Sequence, residues 1–400
     1  MPHQRQRHLR DLLLRTLRFS PITGILGHRQ VGKTTLASEL STAYTTMDTA
    51  SDLSQALVEP AAFLALHQSK LLAIDECQHA APLFPALKEW VRVNKRPGQF
   101  LLTGSVRFTS RKAIRESLTG RIVSWELLPM DWSEQHELPL PNSLNRLLES
   151  KSLGIDLKNS PRFTLKAYLN ALDVGGLPGV FAVRDPAIRA QRFETQINTI
   201  LERDLKLLIQ TTLEFRTLRK LMVSLAKRAG TPLSVAEVAR ETRISLPTLR
   251  KLLSAFESLF LIRFIAPEGD FAKPTLFFED QGECNHLRGS LEADSTQLLM
   301  FLYQNLRVQA LYRPEQKIEM FTYREKNGHT VPLCFRKGKS VLGLIPFEPT
   351  QQQSELSSVL QTSKHFLKRY SGAKVLIVSV QDHDQMIAPG IRWMGAGRLI

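Results

Sequence analysis

Apolar residues recur along the chain in two rhythms. Near the start, Leu9, Leu12, Leu13 and Leu17 fall close to helical spacing among Arg5, Arg7, Arg10, Arg15 and Arg18. This predicts a basic amphipathic helix within residues 1–18. Short, largely apolar runs follow at residues 21–26, 71–74 and 99–102, closed by glycine, acid or small hydroxyl residues. Runs of this length without alternation fit strands of a buried parallel sheet. Helical spacing returns between them, from Thr35 to Leu40 and over residues 82–93, where Leu83, Leu87 and Trp90 are apolar. Strand and helix alternate, so residues 19–135 are expected to form an α/β core.

The pattern then changes. Residues 136–160 are polar and contain Pro139 and Pro141, which predicts a linker. Helices are predicted at 162–173 and 186–209, the latter with Phe193, Ile197, Ile200, Leu201, Leu205 and Leu208 on one side, and at 214–229. Ser234 and Glu237 have capping-box spacing and open a helix to about Arg243. After the turn 244–247, Leu249, Leu252, Leu253, Phe256 and Leu259 mark a longer helix, followed by an apolar strand at 260–265. Two helices joined by a short turn and then a strand predict a winged helix within residues 161–272. Thr248, Arg250 and Lys251 stand at the start of its second helix, where a recognition helix meets a DNA groove. The same fold also docks protein on protein, and fold alone does not choose.

Composition narrows the classes. No run approaches the ~18 apolar residues of a membrane span, and Leu259-Phe260-Leu261-Ile262 stops at Arg263. Cys77, Cys284 and Cys334 are far apart, which excludes a disulfide scaffold or zinc ribbon and fits a reducing cytoplasm. The histidines show no metal-ligand spacing. The net charge of +15 favours polyanionic partners such as nucleic acid, nucleotides or an anionic membrane surface; with no apolar span in the chain, a membrane is not among the expected partners. The Arg-rich start has no secretory h-region. It has the composition of an organellar transit peptide, yet the strand beginning near Phe19 leaves no disposable spacer. It is read as a helix packed on the next domain, touching a phosphate backbone or a neighbouring subunit.

The strongest chemical signal is Gly27-His28-Arg29-Gln30-Val31-Gly32-Lys33-Thr34-Thr35, between a predicted strand and helix. It fits G-x-x-x-x-G-K-[ST]. Its glycines let backbone N–H groups face phosphates at a helix N-terminus. Lys33 is expected to reach the β- and γ-phosphates of ATP, and Thr34 to ligate Mg²⁺. The strand Leu71-Leu72-Ala73-Ile74 ends in Asp75-Glu76. Asp75 is expected to support the metal, and Glu76 to polarise the attacking water. Thr103 or Ser105, at the end of the 99–102 strand, is a candidate sensor of the γ-phosphate. Arg121 is a candidate γ-phosphate arginine, acting in cis, in trans from a homo-oligomer neighbour, or only structurally.

These islands resemble the prokaryotic AAA-superfamily ATPases that carry a C-terminal domain of unknown function. The likeness runs through residues 27–36, Asp75-Glu76-Cys77-Gln78, residues 97–105, Ser117-Leu118-Thr119-Gly120-Arg121 and Leu128-Pro129-Met130-Asp131-Trp132-Ser133-Glu134. It continues in Gly175-Gly176-Leu177-Pro178 and Glu202-Arg203-Asp204. The resemblance implies an α/β P-loop NTPase core of AAA type, a helical and winged-helix segment, and a restriction-endonuclease-like α+β domain over residues 273–400. Such nucleases hold Mg²⁺ with carboxylates beside a lysine. Glu292 is available as the first acid, but Thr330-Val331-Pro332 stands where an acid is expected, and residues 341–347 lack Glu and Lys. The domain is therefore expected to be catalytically inactive. Lys364, Lys368, Arg369 and Lys374 are expected on a solvated basic face, within reach of phosphate. The expected function is Mg²⁺-dependent ATP hydrolysis coupled to action on double-stranded DNA or a protein partner. The alternative is a slow nucleotide-dependent switch that binds protein.

Overall fold

The computed structural model describes residues 5–66, 70–107, 118–160, 162–269, 273–289, 294–348 and 353–400. Glu292 and Ser117 therefore lie outside the described residues. The first sheet contains β1 (Ile22–Leu26), β2 (Ala43–Thr46), β3 (Leu72–Asp75), β4 (Phe100–Gly104) and β5 (Ile122–Glu126). All pairings are parallel, in the order β2-β3-β4-β1-β5. The central strands are buried because both faces are covered. On one face, Ile22, Ile74 and Leu102 pack against Phe63, Leu83, Phe84 and Leu87 from the helices Pro60–Ala65 and Leu83–Val93. On the other, Ile25, Ala73 and Leu101 meet Leu36 of the helix Lys33–Leu40 and Leu9, Leu12 and Leu13 of the helix Leu9–Leu17. Leu177, Val180, Phe193, Val308 and Tyr312 of the C-terminal half join this same cluster.

The chain continues through helices Leu165–Val174, Pro186–Thr199, Phe215–Ala226, Val235–Thr242 and Leu246–Ser258. Next come β6 (Ile262–Ile265), β7 (Pro267–Gly269) and β8 (Thr275–Phe278), with β6 and β8 antiparallel. Helix Pro186–Thr199 passes into a single π-turn, Ile200–Asp204. Ser234 makes no side-chain cap, so the expected capping box does not form. Ser245 caps the next helix by accepting from the Thr248 N–H.

The last sheet contains β9 (Glu319–Arg324), β10 (Thr330–Lys337), β11 (Ser340–Pro346), β12 (Lys374–Ser379), β13 (Asp384–Ala388) and β14 (Ile391–Gly395). With β7 it has seven strands, in the order β13-β14-β12-β11-β10-β9-β7. Residues 136–160 are not a free linker. They contain the helix Ser143–Glu149 and bury Leu144, Leu147, Leu148, Leu153 and Leu157 in the largest core. Lys374, expected on a basic face, is 4% exposed, and its ammonium donates to the carbonyls of Leu147, Leu148 and Ser150. Its charge serves as a cap for the Ser143–Glu149 helix. Lys364, Lys368 and Arg369 are exposed. No described helix is long and apolar enough to cross a membrane.

Candidate nucleotide site

Parallel strands bring their carboxyl ends to one edge of the sheet, and ligands of such sheets bind there. The loop 27–32 leaves β1 at that edge and enters the helix that starts at Lys33. Gly27 (φ 154°) and Gly32 (φ 99°) hold backbone angles that side chains resist, and a Cβ on Gly27 would run into the Leu127 carbonyl oxygen. Val31 is buried behind the loop, while Gln30 sits at φ 60°. Lys33 is 4% exposed and donates to the carbonyls of Gly27 (3.0 Å) and His28 (2.9 Å). Burial lowers its ammonium pKa, against the pull of Glu76 and Asp75.

The acidic end of β3 lies two strands away, with β4 between. Asp75 Oδ2 accepts from Thr34 Oγ1 at 2.7 Å and from the Tyr44 hydroxyl at 2.8 Å. Thr103 Oγ1 donates to Asp75 Oδ1 and accepts from the Glu76 N–H at 3.2 Å. Glu76 has a left-handed backbone (φ 48°), which turns the chain sharply after the strand. Its Oε2 accepts from Ser105 Oγ at 3.1 Å and from the Gln78 amide. Lys33, Thr34, Thr35 and Glu76 line one cavity of about 460 Å³.

Arg121 does not join them. It precedes β5, whereas the loop follows β1, and Ile22 pairs with Ile122 in parallel register. Four strand steps, roughly 13 Å, therefore separate the two ends. Arg121 donates instead to the Thr119 carbonyl. Arg250 and Lys251 are exposed on the helix Leu246–Ser258 and do not line the cavity of the loop, while Thr248 is half-buried and hydrogen-bonds Ser245 at 2.8 Å.

The structure adds pairings that motif reading did not supply. Arg7 is 7% exposed and donates to the carbonyls of Val31 (2.6 Å) and Leu128 (2.5 Å) and to Glu134 (3.0 Å). His28 Nε2 lies 3.1 Å from Glu283, and both side chains are almost wholly buried. Arg29 pairs with Asp204 of the π-turn at 3.2 Å, and its neighbour Arg203 with Asp48 beyond β2 at 3.0 Å. The tip of the loop is thus held by the C-terminal half. The one clue in sequence was the Glu202-Arg203-Asp204 island.

With this strand order, loop and acidic strand end, the parallel α/β core resembles that of a P-loop ATPase. Residues 20–136 match the model of an AAA domain family, and residues 165–291 match that of a domain of unknown function. Uncharacterized proteins of Mycobacterium bovis and Mycobacterium tuberculosis are each 29% identical over 288 residues, 69% of this chain and 58% of theirs. An uncharacterized protein of Methanocaldococcus jannaschii is 24% identical over 206 residues, 50% of this chain and 43% of its own. The chain therefore spans little more than half the length of the mycobacterial relatives. Among solved structures, a Walker-type ATPase of Pyrococcus abyssi is similar at 14% identity and a TM-score of 0.43, over 70% of this chain and 94% of that one.

Proposed function

We propose that this protein is a Mg²⁺-dependent ATPase whose cycle drives the C-terminal half to act on DNA or on a protein partner. The observation that carries this is the meeting of Lys33, Thr34 and Glu76 in one cavity, with Asp75 2.7 Å from Thr34. The metal donors fit Mg²⁺, because a hydroxyl and a carboxylate are hard oxygen ligands already held together. Thr34 and Asp75 would hold Mg²⁺, which would supply neutralisation of phosphate charge. The loop N–H groups cradle the phosphates, and Lys33 exchanges two carbonyl partners for phosphate oxygens. Glu76 takes the proton of the attacking water as the γ-phosphoryl group passes to that water, leaving ADP and phosphate. Ser105 and Gln78 orient the Glu76 carboxylate, and Thr103 fixes Asp75 beside it.

Phosphate-release assays test this. Lys33→Ala and Glu76→Gln are each expected to lower turnover by about 10²-fold or more, with Glu76→Gln still binding ATP. Unchanged turnover in Glu76→Gln would remove it as the base.

DNA contact is supported by the exposed Arg250 and Lys251 and by the antiparallel β6–β8 pair after three helices, an arrangement of winged-helix kind. Retention on duplex DNA should fall steeply with salt and weaken in the double variant Arg250→Glu, Lys251→Glu. The order helix Ser295–Leu311, β9, β10, β11, helix Gln353–Arg369, β12 is compatible with the nuclease-like reading. Neither β10 nor β11 carries an acid, and Val331, Leu333, Leu342 and Leu344 fill their centre at 0% exposure. That supports an inactive domain.

One observation favours the slower, switch-like reading. The Glu76 carboxylate is already engaged by two donors, which compete with water for it. Turnover raised by a protein partner but not by DNA would support that reading. In either case, Arg121 could serve a phosphate of a neighbouring copy and not of its own.

A further inference from the structure

Past the end of β4 the chain leaves the acidic site and enters the other half of the molecule within two residues. Ser105 still belongs to the site, with its Oγ 3.1 Å from Glu76 Oε2 and the Gln78 amide donating to it at 3.3 Å. Val106 is 1% exposed and packs in the largest core, among the helices of the C-terminal half. Arg107 donates its backbone N–H to the Ser258 carbonyl at 2.9 Å and its Nε to the Glu257 carbonyl at 3.1 Å. These carbonyls close the helix Leu246–Ser258, the one that carries Arg250 and Lys251. The last carbonyls of a helix lack partners within it, and a guanidinium there also suits the negative end of the helix dipole. The same guanidinium lies 4.5 Å from the centroid of the Phe260 ring. Phe260 holds φ 55°, a backbone angle that bulky residues resist, so the exit of this helix is strained.

We propose that residues 105–107 carry the state of the nucleotide site to the helix Leu246–Ser258, with Arg107 as the positioning residue at its end. The inference rests on the ATPase reading above. To take a proton from water, the Glu76 carboxylate must turn from Ser105, and a γ-phosphate offers the Ser105 hydroxyl another acceptor. Either exchange shifts residue 105. Only roughly 7 Å of extended chain separates it from Arg107, too short a tether to absorb the shift. Arg107 grips Glu257 and Ser258 through main chain and side chain together, so it moves with them. A helix moves as a rod, and a displacement of its last turn reaches Arg250 and Lys251. The strained exit at Phe260 gives that turn a second arrangement to relax into.

Hydrogen exchange of the full chain, read over residues 246–260, tests this with Mg²⁺-ADP and a non-hydrolysable Mg²⁺-ATP analogue as probes. In the wild type the exchange rate there is expected to differ about 5-fold or more between the two. In Arg107→Met, which removes the Nε donor, the difference should fall within about 2-fold, while both nucleotides still bind as in the wild type. Arg107→Lys keeps the charge that faces Glu126 at 3.8 Å and one donor, and should recover at least half of the difference. Exchange over 246–260 that ignores the nucleotide in the wild type overturns the inference. So does an Arg107→Met variant that exchanges faster by the same factor in both states, since that marks a cap with no part in coupling. Should Arg107→Met fail to fold, Ser105→Ala leaves the cap intact and must lose the same difference; its retention also overturns the inference. Failure of the ATPase reading looks different: neither nucleotide binds the wild type, or both bind and no phosphate is released while the exchange difference persists.

Discussion

Asp131 shows how one residue can set a pH response. It is 1% exposed, caps the turn Trp132–Gln135 through the Glu134 N–H at 2.9 Å, and accepts from Ser133. Burial, with the Glu134 charge next in weight, pushes its carboxyl up to about 7. A carboxyl raised above its unfolded value binds its proton more tightly in the folded state. Its contribution is therefore favourable at low pH and is lost as pH rises from about 4 through about 7. In Asp131→Asn, stability measured by denaturant melts should lose that decline between pH 4 and 7. An unchanged slope would mean that other groups set it. The P-loop residues were legible because their chemistry depends on local order. Arg107 was not, since nothing beside it in the chain shows what it faces.

At the scale of elements, the helix Gln281–Arg288 and the π-turn Ile200–Asp204 matter most, because they hold the loop tip through Glu283 and Asp204. Burial alone would lower the His28 pKa, but the Glu283 carboxylate outweighs it and the net direction is up. The pair thus stabilises fully below His28's ordinary value of 6.5 and is lost as pH rises through the folded value. Gln196 donates to the other Glu283 oxygen at 3.1 Å, so the carboxylate is well satisfied. Glu283→Ala leaves a buried histidine without its charge partner and should cost about 3 kcal/mol near pH 6. Thermal melts of Glu283→Ala, His28→Ala and the double variant would read a coupling energy. Additive losses would show that the two side chains do not act together. The helices of this region were legible from their 3.6-residue spacing. Residues 136–160 were not, because Leu144, Leu147 and Leu148 are buried by strands nearly 200 residues further on.

For the whole molecule, the junction between halves is both apolar and ionic. Glu126 at the end of β5 accepts from Arg263 of β6 at 2.6 and 2.8 Å and from Arg307, and both arginines also pair with buried Glu279. Burial alone would raise the Glu126 carboxyl, but Arg307, Arg263 and Arg107 hold it well below the usual carboxylate range. This contribution is present at neutral pH and is lost as pH falls through that depressed value. Sheet, first helix and C-terminal helices also share one apolar cluster. The two halves should therefore melt in one calorimetric transition at pH 7. Glu126→Gln should lower its midpoint or split it, because the buried Arg307 and the half-buried Arg263 lose an anion. Two separate transitions in the wild type would show that the halves are stable apart.

Residues 27–34 and 75–76 could be read from sequence because each is a local grammar. A strand must deliver a glycine turn to a helix, and an apolar strand must end in acid. Short-range backbone geometry makes those orders necessary wherever the chain later folds. Tertiary structure alone decided what meets them. It placed Arg121 at the end of the sheet opposite the loop, Lys374 in the interior, Asp204 and Glu283 on the loop tip, and Arg5 beside Phe181. Those are contacts between distant segments, fixed by how faces pack, and the order of residues along one segment carries no record of its partner.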